Sequence, residues 1–110
     1  MKDNYCAIYQ VTKLIGGKWN MPLMHIIQSG PKRFGELRRT LSPITEQMLT
    51  KQLRELESHD LISRKDFQTI PPRVEYTLTE FGQSLSGIIN QYQDFGEKNK
   101  SKIIKLLSND

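Results

Sequence analysis

GPKRFGELRRTLSPITEQMLTKQLRELESHDLISRKDFQTIPPRVEYTL, the run from Gly30 to Leu78, decides how this chain folds. Gly30-Pro31 stops whatever helix precedes it, because proline has no amide to continue the ladder. Lys32-Arg33-Phe34 suits a short edge strand, and Gly35 to Leu41 a brief helix with Leu37 and Leu41 turned inward. Ser42-Pro43-Ile44 forms a turn, with Pro43 keeping two helices from merging. Thr45 caps the next helix and Glu46 suits its positive end. Leu49, Leu53 and Leu56 share one face of that helix, which is expected to end near His59-Asp60. Leu61 to Phe67 and Arg73 to Leu78 predict two strands joined by a tip containing Pro71-Pro72. Val74, Tyr76 and Leu78 alternate with Arg73, Glu75 and Thr77, as in a half-buried strand. Helix, turn, helix and hairpin in this order predict a helix-turn-helix followed by a wing. Such a unit inserts one helix into a DNA groove while the hairpin touches the flanking backbone.

The flanking segments are helical. From Asn4 to Ile15, the residues Ile8, Val11 and Ile15 recur at helical spacing beside Leu14, with Asp3 or Asn4 as cap and Gly16-Gly17 as stop. A second helix is expected from Lys18 to Gln28, burying Trp19, Leu23, Ile26 and Ile27. Pro22 fits only in its first turn, which makes Asn20 a plausible cap. Thr79-Glu80 opens a long final helix carrying Phe81, Leu85, Ile88, Ile89, Tyr92 and Phe95. Gly96 and Asn99 can bend or break it before Ile103, Ile104, Leu106 and Leu107. The fold class is therefore α+β, mainly helical: a winged helix-turn-helix with N- and C-terminal dimerisation helices. One domain spans residues 1–110, in which 4–16 and 79–107 are the dimerisation helices and 30–78 the DNA-binding unit.

Composition narrows the function. Sixteen Lys and Arg against twelve Asp and Glu give a formal net charge of +4, a moderate bias towards a polyanion. The single cysteine, Cys6, rules out an intrachain disulfide and suits a reducing cytosol. No apolar run reaches the ~20 residues a membrane span needs, and Met1-Lys2-Asp3-Asn4 lacks the apolar stretch of a secretory signal. A cytoplasmic protein with no membrane contact is expected. His25 and His59 lack paired-ligand spacing, so neither a metal nor a cofactor is expected. Gly16-Gly17-Lys18 lacks the upstream glycine and following Ser or Thr of a phosphate loop. No nucleophile–base set appears, and Glu55 and Glu57 serve better as solubilising charges than as an acid/base pair. The chain is not expected to be an enzyme.

With Leu49, Leu53 and Leu56 inward, the ~100° advance per residue leaves Gln47, Lys51, Arg54 and Ser58 outward and Thr50 at the margin. Lys can reach guanine acceptors, Gln adenine, and Thr either. Thr45, Gln47 and Lys51, near the helix N-terminus, are the expected base readers, with Arg54 a phosphate contact or a partner of Glu55 or Glu57. Taken alone, this helix favours the plainer reading of an amphipathic surface helix with a solvated face; the short helix and turn before it and the hairpin after it shift the reading to DNA. In the wing, Pro71-Pro72 stiffens the tip, and Arg73 and Lys65 are placed to enter or straddle a minor groove. Solvated cations on a rigid hairpin are the plainer alternative. Lys32, Arg33, Arg38 and Arg39 add charge before the turn, Arg33 being the best phosphate candidate among them.

Four stretches carry a family resemblance. They are Ile15-Gly16-Gly17-Lys18-Trp19, Gly30-Pro31-Lys32-Arg33-Phe34-Gly35-Glu36-Leu37, Met48-Leu49-Thr50-Lys51-Gln52-Leu53-Arg54-Glu55-Leu56 and Pro71-Pro72-Arg73-Val74-Glu75-Tyr76. From about Cys6 to Gly96 the chain resembles the HxlR-type bacterial transcriptional regulators, winged-helix proteins related to the MarR group. The resemblance implies a homodimer on a pseudo-palindromic DNA operator, with the first and last helices forming the interface. The tail after Lys98 extends past the usual family end. The residues argue for a dimer too, because the final helix is apolar over more turns than one small core covers. The expected interface is Ile8, Leu85, Ile88, Ile89, Tyr92 and Phe95. Two such reading helices sit ~34 Å apart on one face of the duplex.

Cys6 falls in the expected first turn of helix one, off the Ile8–Ile15 face. Members of the resembled family often carry a cysteine here, and some use it to sense electrophiles or oxidants. On that basis Cys6 is the candidate sensor, with a small electrophile or oxidant as effector; a small residue without chemistry is the alternative. The expected function is sequence-specific DNA binding by a regulator, in the sense of a repressor. A winged-helix protein-interaction module without specific DNA binding is the runner-up.

Overall fold

The computed structural model describes residues 5–108. In chain order its elements are α1 (Ala7–Ile15), α2 (Asn20–Ile27), α3 (Phe34–Thr40), α4 (Glu46–Ser58), β1 (Ile62–Asp66), β2 (Val74–Leu78), α5 (Glu80–Gln83), α6 (Ser86–Lys98) and α7 (Lys100–Leu107). The fold is mainly helical with one small sheet, a winged helix-turn-helix. Leu23, Leu37, Leu49, Leu53, Leu56 and Leu61 form the buried centre, drawn from α2, α3, α4 and the start of the hairpin.

β1 and β2 pair antiparallel, with Ile62 opposite Leu78, Arg64 opposite Tyr76 and Lys65 opposite Glu75. Side chains two apart share a face, so Ile62, Tyr76 and Leu78 meet the core while Ser63 and Lys65 face out. The edge strand expected at Lys32-Arg33-Phe34 shrinks to one bridge, Lys32 with Tyr76, its two backbone bonds 3.0 and 2.8 Å. Phe34 is already helical, because the Glu36 carboxylate reaches back to the Arg33 amide at 2.9 Å and opens α3 there.

Three boundaries depart from the sequence expectation. Helix α1 starts at Ala7, not Asn4, with Cys6 in an extended N-cap conformation; the expected caps Asp3 and Asn4 lie outside the described residues. Asn20 is the first residue of α2, not its cap, and its side chain is buried. The long final helix is three pieces. At Ser84-Leu85 the ladder tightens: the Ser84 amide is shared between the Glu80 and Phe81 carbonyls, and the Leu85 amide bonds Gly82, three residues back, all at 3.1 Å. That tighter turn swings Leu85 into the core. The break expected at Asn99 is present: its carboxamide donates to the Phe95 carbonyl at 3.0 Å, competing with the backbone for it. Gly96 stays within α6.

Short α5 lies close to the hairpin for a steric reason. A Cβ on Gly82 would collide with the Leu61 carbonyl, so only glycine allows the approach. By contrast, α1 is poorly covered by its own chain. Ile15 is its one buried side chain among the described residues, and Ile8 is 80% exposed. The radius of gyration, 15.9 Å, exceeds the ~13 Å of a compact chain this long. Helix α7 at the other end buries none of its side chains.

Candidate nucleic-acid interface

Helix α4 is fixed at both ends and along its back. At the start, the Thr45 hydroxyl accepts from the Met48 amide at 3.1 Å, the capping bond expected from the sequence. At the end, Asp60 adopts φ 60°, and the amides of Asp60 and Leu61 bond back to Glu57 and Leu56, both at 3.0 Å. That is a Schellman closure, and it also aims the chain into β1. Leu49, Leu53 and Leu56 anchor the back, each at most 2% exposed.

The outward face is as expected. Gln47, Lys51, Arg54 and Ser58 are exposed and Thr50 is half-buried at the margin. Gln47, Thr50, Lys51 and Arg54 line one shallow groove with Glu46. Ser58 is occupied, its hydroxyl donating to the Glu55 carbonyl at 2.8 Å. Among the described residues the ion pairs are Arg38–Glu46 at 3.3 Å and Arg73–Glu75 at 2.8 Å. Arg54 therefore pairs with neither Glu55 nor Glu57, and like Lys51 it is open to an external anion. Arg38–Glu46 is exposed on both sides and contributes little, on the order of 0–1 kcal/mol.

The wing and α3 flank this face. The Arg33 guanidinium donates to the Pro72 carbonyl at 3.4 Å, tying the start of α3 to the wing. Lys65 is exposed, its ammonium 4.7 Å from the Phe67 ring centroid. Arg73 is engaged on two sides: Nε and Nη2 donate to Glu75 at 3.0 and 2.8 Å, and its guanidinium lies 4.2 Å from the same ring.

Arg64 escaped the sequence reading. It lies on the same side of β1 as Ile62 and lines a cleft of about 340 Å³ with Thr50, Arg54 and Tyr76. The strand alternation carried that signal, since it separates Arg64 from Lys65 and turns it towards α4. Of the expected interface residues, Ile8, Ile88, Tyr92 and Phe95 are exposed, whereas Leu85 and Ile89 are buried in the chain's own core. Cys6 is a free, exposed thiol.

A capped helix α4 with an exposed polar face, a preceding short helix and turn, and a flanking hairpin define a winged-helix transcriptional regulator. Residues 14–103 match the family described as HxlR-like helix-turn-helix, and the chain belongs to that family. It is similar to the HTH-type transcriptional regulator YdeP of Bacillus subtilis, with 46% identity over 92% of this chain and 79% of the relative. Among solved structures it resembles the redox regulator HypR. The oxidised form shares 45% identity, with a TM-score of 0.83 over 86% of this chain and 97% of that one. The reduced form of the transcriptional regulator YodB from B. subtilis shares 33% identity, with a TM-score of 0.74 over 86% of this chain and 93% of that one. These relatives are regulators of transcription, not enzymes.

Proposed function

We propose that this regulator binds a pseudo-palindromic double-stranded DNA operator as a homodimer and represses transcription from it. The observation that carries the reading is the outward face of α4. Gln47, Lys51 and Arg54 stand exposed on a rod whose back is locked by three buried leucines. Thr45, Gln47, Thr50 and Lys51 meet base edges, with Arg54 and Arg33 on phosphates. Lys65 and Arg73 serve the wing's approach to the flanking backbone. The second copy covers the face made by Ile8, Ile88, Tyr92 and Phe95, which one chain leaves in water. Among the described residues no helix is long and apolar enough to cross a membrane.

The same reading makes Cys6 the sensor of a small electrophile or oxidant. Its thiol is exposed at the N-cap of α1, on the helix assigned to the dimer interface. HypR is described as a redox regulator and solved in two redox forms, and YodB also in a diamide-treated form. With no second cysteine position in this chain, the available chemistry is alkylation, a mixed disulfide or a Cys6-to-Cys6 bridge. A gel shift against the promoter beside its own gene tests the whole reading. Specific binding that weakens steeply with salt is expected, because each neutralised phosphate releases counterions. A dimeric sample that binds all sequences alike would refute it.

A further inference from the structure

The tip of the wing presents a large apolar side chain beside the exposed Gln68 and Thr69 and carries no cation. Ile70 is 100% exposed and is followed by Pro71-Pro72. The nearby cations are drawn back to the body of the hairpin. Arg73 is held by two bonds to the Glu75 carboxylate, and both Arg73 and Lys65 lie over the Phe67 ring. The tip itself is braced by local bonds. Phe67 donates its amide to the Arg73 carbonyl at 2.9 Å, closing the loop. The Gln68 amide donates to Asp66 at 2.8 Å, and the Thr69 hydroxyl to the Pro71 carbonyl at 2.9 Å. A large apolar side chain is thus presented to water on a stiffened support.

Resting on the DNA-binding reading above, we infer that Ile70 is the wing's minor-groove contact, an apolar wedge set against the sugars and base edges flanking each half-site. With α4 in the major groove, the hairpin of a winged helix lies over the adjoining stretch of duplex. Isoleucine and proline are among the side chains that enter minor grooves and partly unstack a base step. The withdrawn cations fit this division of labour: Arg73 and Lys65 straddle the backbone while the tip reads how easily the step deforms. Discrimination at the flank then favours flexible pyrimidine–purine steps. It adds nothing to the salt dependence, since Ile70 neutralises no phosphate.

The test uses the full chain and a duplex that the wild type selects from a random-sequence pool, with 2-aminopurine placed at flanking steps. Ile70→Ala, at a fully exposed position, leaves the fold intact. It is expected to weaken binding about 5- to 30-fold, the loss of part of a buried isoleucine, with the slope of log K against log salt unchanged. The rise in 2-aminopurine fluorescence seen with the wild type should disappear. Equal affinity and equal fluorescence with Ile70→Ala would overturn the inference while leaving the DNA-binding reading intact. A changed salt slope, or a DNA-free oligomer altered by the substitution, would also overturn it, since the tip would then act by charge or touch another copy. If the wild type selects no sequence, both readings fall together.

Discussion

The carboxamide of Asn20, at the start of α2, donates to the carboxylate of Glu55 on α4 at 3.2 Å and to the Gly16 carbonyl at 2.7 Å. Asn20 is 1% exposed. One side chain therefore joins the turn after α1 to the last turn of α4. A second link lies one helical turn on, between His59 Nδ1 and the Leu14 carbonyl at 3.3 Å. Removing Asn20 strands an acceptor on each side, and hydrogen bonds to charged groups are worth about 1.5–3 kcal/mol. Asn20→Ala should cost about 2 kcal/mol. Glu55→Gln keeps an acceptor and should cost about 1 kcal/mol or less. Urea unfolding at fixed protein concentration reads both as shifts in midpoint at constant slope. Equal costs for the two variants would show that the bond, as drawn, is not what holds Glu55.

Asp60 closes α4 at a φ of 60°, a conformation that costs a non-glycine residue on the order of 1 kcal/mol. Its carboxylate also sits at the negative end of the helix, where an anion is unfavourable. Both terms point the same way. Asp60→Gly should stabilise the protein by about 1 kcal/mol, visible as a rise in melting temperature. A fall instead would mean that the aspartate side chain makes a contact worth more than the strain.

What the sequence revealed was whatever local periodicity dictates. The spacing of Leu49, Leu53 and Leu56 placed the back of α4, and Thr45 supplied its cap as expected. The alternation of Val74, Tyr76 and Leu78 placed β2. Periodicity reports an apolar face but not what covers it. Ile8, Val11 and Ile15 share a stripe, yet Ile15 alone is buried by this chain. Nor does it detect a break that keeps the phase. Phe81, Leu85 and Ile88 hold helical spacing across Ser84-Leu85, where the turn tightens between Gly82 and Gly87 while the apolar period runs on unbroken. Asn20 looked like a cap because asparagine favours that position. Its partner lies 35 residues away, beyond any local pattern.

Lys51 has no ion-pair partner among the described residues and faces outward from the first half of α4. If it reads a base, Lys51→Ala should cost about 1–3 kcal/mol at one operator position and relax discrimination there. Binding to duplexes varied at each position in turn measures this directly. A uniform loss across all variants, with the salt slope reduced by about one, would make Lys51 a phosphate contact instead.

Tyr92 and Ile89 lie on the same helix but have opposite environments, Tyr92 63% exposed and Ile89 2%. Tyr92→Lys should place a charge in the proposed interface and leave the monomer's own core alone. Sedimentation should then report a folded monomer that binds DNA poorly. Ile89→Lys should unfold the chain, because a charge enters the core without a partner. A Tyr92→Lys protein that stays dimeric would move the interface away from α6.

Cys6 is the last test because it separates sensing from binding. The thiol lies at the N-cap of α1, and Ile8, two residues on, belongs to the proposed interface. Alkylation by a quinone forms a sulfur–carbon bond at that point. Hypochlorite takes two electrons, and a Cys6-to-Cys6 bridge is one product. Either event adds bulk or a covalent tie where α1 should meet the other copy, changing the spacing of the two α4 helices on the duplex. Cys6→Ser is nearly isosteric and exposed, so operator affinity without challenge should match the wild type within about twofold, well under 1 kcal/mol. After challenge, the wild type should release DNA and Cys6→Ser should not. Release by both proteins would assign the response to another group, and release by neither would remove redox sensing from this regulator while leaving its DNA binding in place.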